Sequence, residues 1–282
     1  MKIAFLAPKV KWSIQYMFFE YKKYLEKLSD TTVDVFPSRE IPKGLNEYDW
    51  IIGAVKHQRT YENRRFRQKR DRFIGLVTGY DCRDRVSNWG LFKTLWFWSD
   101  CYIDERFKNN NVFSEAFGVD HTLFKPIPTE KEFFALFVGN ADWYKKRISS
   151  HFIPLCEKVS VNYHIVDGRI NRIPLEDLPL VYNKAKSYLC TSIYEAGPAP
   201  VLEAASCGIP VIGCDSGFSR MFKRKAVILC SSWDEYVHAL ETLKTSDNTR
   251  RKMGQEARKE ILENWTWETR ISSLLKKLEA LK

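Results

Sequence analysis

Two glutamates, Glu195 and Glu203, bracket the seven-residue segment Ala196–Leu202, and this pairing is where the chain offers chemistry. Pro200 suits the first position of a helix, where its fixed φ helps and its missing N–H is not needed, and Gly208 suits a left-handed C-terminal cap. A helix of about two turns, from Pro200 to Cys207, follows from those signals. Gly197, Pro198 and Ala199 carry almost no side chain, so an anion can approach the amides at the positive helix end. That arrangement suits a diphosphate. Glu203 lies within the first turn or so of the helix, and Glu195 follows an expected strand, Ser187–Ser192, so a carboxylate stands on each side of the anion cradle.

The elements around this segment carry the rest of the reading. Taken alone, the spacing of Glu195 and Glu203 is more commonly that of a strand, a proline-rich loop and a buried crossover helix with both glutamates in water. Its continuation, Glu203-Ala-Ala-Ser-Cys-Gly-Ile-Pro-Val211, closely resembles the signature of the retaining, family-4-type glycosyltransferases of the GT-B fold. Further segments resemble that family in the same order. They are Ala116–Pro126 at the end of a first domain, Leu178–Ala185 before the motif strand, Ser232–Tyr236, Arg251–Gly254, and Trp265–Trp267. The likeness is strong from about Asp100 onward and weak before it.

The resemblance implies an α/β chain of two Rossmann-like, doubly wound domains facing across a cleft, with a reduced N-terminal domain. It implies residues 1–126 on the acceptor side, 127–264 on the nucleotide-sugar side, and a final helix, 265–282, returning to the first domain. By the same resemblance, Glu203 takes the ribose hydroxyls of the donor and Glu195 faces the transferred sugar. Lys146 matches a lysine directed at the diphosphate, whereas Asn140 occupies the position of the family's arginine, and Lys145 or Arg147 is the candidate replacement for that charge. Gly197, Pro198, Ala199 and Pro200 form the cradle, and backbone near Arg172 and Ile173 matches the place of the nucleobase. The implied donor is a UDP-, GDP- or ADP-sugar, with neither metal nor cofactor, and the implied acceptor is a glycan, a lipid or a small molecule.

The first domain departs from the pattern. Its first loop, Ala7–Trp12, has no glycine, and Lys9 in that loop is an expected acceptor-side residue. His57 falls a few residues past the family's histidine position, and Tyr80 stands where some relatives carry His before Asp, which leaves Asp81 as the expected acceptor-side or catalytic partner. An aspartate after a strand is also an ordinary turn or cap residue.

At 282 residues and 44% hydrophobic composition, the chain can bury one or two real cores. Short apolar runs alternate with helical periodicity, the mark of parallel α/β layers. Strands are expected at Lys2–Leu6, Thr32–Phe36, Trp50–Val55, Phe73–Thr78 and Cys101–Asp104, then at Phe133–Gly139, Val161–Val166, Ser187–Ser192, Val211–Cys214 and Val227–Leu229. Ile14, Met17, Phe18, Tyr21, Leu25 and Leu28 share one face of a helix that Ser13 opens. A second helix is expected from Ser87, with Trp89, Phe92, Trp96, Phe97 and Trp98 as core or as a sugar-stacking face. Seven cysteines without a Cys-x-x-Cys pair suit reduced, buried thiols. No apolar run reaches membrane-spanning length, so a cytoplasmic chain is expected.

The net charge of +10 concentrates between Lys56 and Arg72, where eight basic residues face two acids. An acidic acceptor or an anionic membrane surface would meet such a run, which as a helix face is more commonly solvated. The reading is thus a metal-independent, retaining hexosyltransferase. The competing class is a polyanion- or nucleic-acid-binding module on a GT-B scaffold, favoured by the basic run and by Asn140, and opposed by Glu195, Glu203 and Lys146.

Overall fold

The structure, a computed structural model, describes residues 1–7, 13–37, 44–55, 70–78, 86, 89–223 and 226–282. The chain forms two compact units, Met1–Phe117 with Trp267–Lys282, and Gly118–Thr266. Each is built on its own parallel sheet.

In the first unit, β1 (Lys2–Ala7), β2 (Thr32–Pro37), β3 (Trp50–Ala54), β4 (Phe73–Val77), β5 (Thr94–Phe97) and β6 (Asn111–Ser114) lie in the order β2-β1-β3-β4-β5-β6. Every pairing is parallel. The central strands β3, β4 and β5 are buried along their whole length, as expected for parallel strands covered on both faces. Helix α1 (Ser13–Leu28) buries Met17, Phe18, Tyr21 and Leu25, a helical stripe against the sheet, with the Phe18 ring stacked 4.8 Å from Phe5.

The tryptophan-rich stretch departs from expectation. Thr94–Phe97 is a strand rather than part of a helix, and Cys101–Asp104 is not a strand: Asp100–Tyr102 forms a helical turn capped by Ser99. The run Thr94-Leu-Trp-Phe97 pairs in register with Ile74–Val77, and burial of all four residues outweighs the helical spacing of the aromatics. Phe92, Trp96, Phe97 and Trp98 are buried, so they give no stacking face for a sugar. Of the basic run, Arg70 and Arg72 are described; Arg72 donates to the carbonyls of Asn46 and Tyr48 and so serves the fold.

The second unit carries β7 (Phe133–Gly139), β8 (Tyr163–Asp167), β9 (Ala185–Cys190), β10 (Val211–Cys214) and β11 (Val227–Cys230), ordered β11-β10-β9-β7-β8 and again parallel. Its helices are α2 (Ile153–Val159), α3 (Leu178–Lys184), α4 (Ala199–Ser206), α5 (Gly217–Met221), α6 (Trp233–Thr245) and α7 (Asp247–Glu260). Ser232 and Glu235 close a capping box on α6, and Ser246 caps α7. Leu189, Ile212, Phe137, Phe152, Tyr236 and Leu240 sit in its core.

Helix α8 (Trp267–Ala280) belongs to the first unit. Trp267 packs edge-on to Tyr21 at 5.0 Å and stacks on Tyr24. The buried Glu115 carboxylate accepts from Ser273 Oγ at 2.5 Å, Lys277 Nζ at 2.6 Å and Arg270 Nη1 at 3.3 Å, which satisfies a charge that would otherwise be costly to bury.

The chain leaves the first unit at Phe117, ahead of the expected boundary at 126, because the segment that follows is bonded into the second. Ser206 Oγ donates to Phe124 O at 2.6 Å, and the Arg258 guanidinium donates to Phe124 O, Ser206 O and His121 O. Among the described residues six cysteines are free thiols, and no helix is long and apolar enough to cross a membrane. Arg258→Ala removes the donor shared by three carbonyls and is expected to destabilise the protein by about 3 kcal/mol in chemical denaturation. An unchanged midpoint would contradict the anchoring role given to Arg258.

Candidate functional site

The site is assembled at the carboxyl edge of the second sheet, where parallel α/β sheets bind ligands. Helix α4 begins at Ala199 with Pro198 as its cap, so Pro200 occupies the second position rather than the first. Val201 N–H is taken by Pro198 O at 3.0 Å, and Pro200 has no N–H, so Gly197 and Ala199 supply the amides this turn can offer an anion. At the other end Gly208 adopts φ 72°, and Gly254 of α7 lies so close to Gly208 O that any Cβ would collide with it. That contact and Arg258 hold α4 firmly from behind.

Lys146 and Glu195 form an ion pair at the mouth of the site, their side chains 16% and 12% exposed. Glu195 also accepts from Ser192 Oγ at 2.6 Å, and its backbone N–H donates to Ser216 Oγ at 2.8 Å. Burial alone lowers the Lys146 ammonium pKa, but the Glu195 carboxylate outweighs it and holds the ammonium above its usual value. Both partners stand on a stitched frame. Thr191 Oγ1 donates to Lys146 O at 2.8 Å, Ile193 N–H to Lys145 O at 2.8 Å, and Arg147 Nε to Thr191 O at 2.6 Å. Gly217 at φ 55° lies against the Glu195 carbonyl, where a Cβ would have no room.

The two candidates for the charge absent at Asn140 differ in position. Arg147 has left-handed backbone, φ 54°, and turns its guanidinium back onto the Thr191 and Ser192 carbonyls and His151, so it secures the frame. Lys145 is buried with its ammonium 4.5 Å from the Tyr194 ring centre and 5.4 Å from that of Trp143. Burial lowers its pKa and the nearby Glu195 partly restores it, so Lys145 adds positive potential beside the pair. Asn140 follows Gly139 at the end of β7, partly buried.

Glu203, on α4, accepts a 2.6 Å hydrogen bond from the fully buried Tyr182 of α3. Burial pushes its carboxyl up to about 7, with the Tyr182 bond acting in the opposite direction. The buried Tyr188 hydroxyl donates to Val138 O at 3.5 Å, and its pKa is raised well above the usual value by burial, then by the charges of Cys190, Glu195 and Glu203. Arg172 is exposed and Ile173 partly so, on the loop between β8 and α3. Lys9, His57, Tyr80 and Asp81 lie outside the described residues.

Sequence reasoning overlooked Ser192, Ser216, Tyr182 and Gly217. Serines two residues past the ends of neighbouring strands, at 192 and 216, are a signal that the strand ends cooperate. Tyr182 carries no such mark, because an aromatic at that helical position reads as core. Among the described residues no three His, Cys, Asp or Glu side chains are grouped to hold a metal.

Since the folded-state Glu203 carboxyl titrates above the value of 4.5 it has when exposed, folding is favoured by its protonated form. That contribution is complete below about pH 4.5 and is lost as pH rises through 7. Glu203→Gln keeps an acceptor for Tyr182 and carries no charge. It is expected to match the unsubstituted protein in stability near pH 4.5 and to exceed it by on the order of 2 kcal/mol at pH 8. A stability difference that does not change with pH would contradict this.

A family model described as glycosyl transferase-like matches residues 121–276, more than half of the chain. Sucrose-phosphate synthase from Thermosynechococcus elongatus superposes with a TM-score of 0.69 at 13% identity, covering 100% of each chain. Anabaena HepE, in a structure with UDP and glucose, gives 0.70 at 12% identity over 99% of this chain and 100% of its own. The O-antigen chain mannosyltransferase B of Escherichia coli is 48% identical over 40 residues, 14% of this chain and 10% of that protein's length. The structural likenesses establish the fold, two parallel-sheet α/β domains of the GT-B type, and the family match establishes kinship: the chain belongs to the glycosyl transferase-like family.

Proposed function

We propose that the chain moves a hexosyl group from a nucleoside diphosphate sugar to an acceptor hydroxyl, retaining the α configuration and using no metal. The observation that carries this reading is the Lys146–Glu195 pair held beside the start of α4. Breaking a sugar–diphosphate bond leaves growing negative charge on the leaving group, and a preorganised cation is worth most where water is excluded. Without donor, Glu195 keeps Lys146 charged and in place. With donor, the diphosphate takes over Lys146, and Glu195, still fixed by Ser192 and Ser216, faces the sugar and steadies its cationic transition state.

In the same reading Glu203 receives the ribose hydroxyls and the loop at Arg172 and Ile173 borders the base. Lys145 adds field in place of the family's arginine, and the amides of Gly197 and Ala199 meet phosphate oxygens. HepE has been crystallised with UDP-glucose, and the short mannosyltransferase match covers another sugar-transfer protein; both are compatible with a sugar nucleotide here. The acceptor class, whether glycan, lipid or small molecule, is left to the first domain.

Turnover of UDP-, GDP- and ADP-hexoses, followed as nucleotide release, tests the proposal, with the anomeric configuration of the product read by NMR. One donor is expected to be consumed with α product, and Lys146→Ala and Glu195→Gln are each expected to lower the rate about 100-fold or more. A β product would overturn retention. Turnover unaffected by both substitutions would overturn the assignment of the site.

A further inference from the structure

Asp167 is a buried acidic residue to which the proposed mechanism gives no work. It closes β8 in register with Gly139 of β7, the residue before Asn140, and it is 5% exposed. Its Oδ1 accepts from Arg169 N–H at 3.0 Å. Its Oδ2 is buried and, among the described residues, has no hydrogen-bond partner; the same is true of Asn140 Oδ1. Two open acceptors thus stand at the ends of adjacent strands, which run about 4.8 Å apart. Buried acceptors are rarely left open, because the lost hydration is not repaid.

Their surroundings belong to the donor side of the unit. The loop that begins at Gly168 carries Arg172 and Ile173 and leads into α3, whose Tyr182 holds Glu203. A Cβ at Gly168 would meet nothing within 4 Å, and Ile170 on the same loop is 78% exposed, so the loop offers both space and an apolar surface. Arg169, whose guanidinium Nε lies 3.9 Å from Asp167 Oδ1, also pairs with Asp142, and both of those side chains are half exposed or more.

We infer that Asp167, assisted by Asn140, reads the base of the donor and selects guanine. This rests on the proposal that the second unit binds a nucleoside diphosphate sugar. The reason is the pattern of donors on the base edges. Guanine presents N1–H and the 2-amino group side by side, which matches a carboxylate with an open oxygen and an amide oxygen nearby. Uracil presents one N–H between two carbonyls, which the carboxylate repels. Adenine and cytosine present a single amino group beside a bare ring nitrogen. A site whose buried acceptors go unpaired with the wrong ligand discriminates strongly.

The test is calorimetric titration of the full chain with GDP, UDP, ADP and CDP, repeated on Asp167→Asn and Asp167→Ala, with thermal unfolding to verify that each variant folds. GDP is expected to bind tightest, and Asp167→Asn to weaken it about 30-fold or more while leaving UDP unchanged. Asp167→Asn is also expected to gain affinity for xanthosine diphosphate, whose 2-carbonyl accepts from the new amide; a merely structural aspartate would not produce that exchange. If another nucleotide binds tightest, and Lys146→Ala abolishes its binding, guanine selection is overturned while the donor site stands. If none of the four binds, the donor-site reading itself fails and the selection falls with it.

Discussion

An ammonium and a carboxylate that are both largely withdrawn from water, Lys146 and Glu195, set the terms for the rest of the second unit. Removing either ion from solvent costs several kcal/mol, and mutual attraction offsets that cost only when geometry is held and the remaining lone pairs are satisfied. The surrounding structure meets both conditions. Ser192 and Ser216 serve Glu195, while Thr191, Ile193 and the left-handed Arg147 fix the turn that presents Lys146. Gly217 is confined to glycine by the Glu195 carbonyl. In the proposed function, a pair held this way keeps a cation in readiness for the donor diphosphate.

Helix α4 must stand still for the same reason, since it carries Glu203 and presents the turn before it to the pair. Its start is defined by prolines and its end by contact of Gly208 with Gly254 and by Arg258. Glu203 accepts from Tyr182, which favours its ionised form, but burial outweighs that bond and raises its carboxyl pKa. In the proposed function a ribose that donates two hydroxyls favours the ionised form, so ligand and proton would compete there.

Much of the second unit was legible because its strands are short apolar runs closed by glycine, aspartate or cysteine, and because the spacing of Glu195, Glu203, Gly208 and Pro210 fits one strand, one turn and one helix. The stretch from Trp89 to Asp104 was misread because aromatic spacing fits a helix face and a buried strand alike, and pairing with β4, invisible in the local pattern, decides between them. The supporting contacts of the site were the least legible part. Tyr182 to Glu203 spans two helices, and the positive φ of Arg147 has no signature in a non-glycine residue. Asp167 is marked only by what its second oxygen lacks, which a sequence does not display.

The most direct test is a crystal structure of the full chain with a bound nucleoside diphosphate. The account predicts Lys146 Nζ on the diphosphate rather than on Glu195, both ribose hydroxyls on Glu203, and Glu195 still held by Ser192 and Ser216. A nucleotide bound elsewhere, with Lys146 remaining on Glu195, would contradict it.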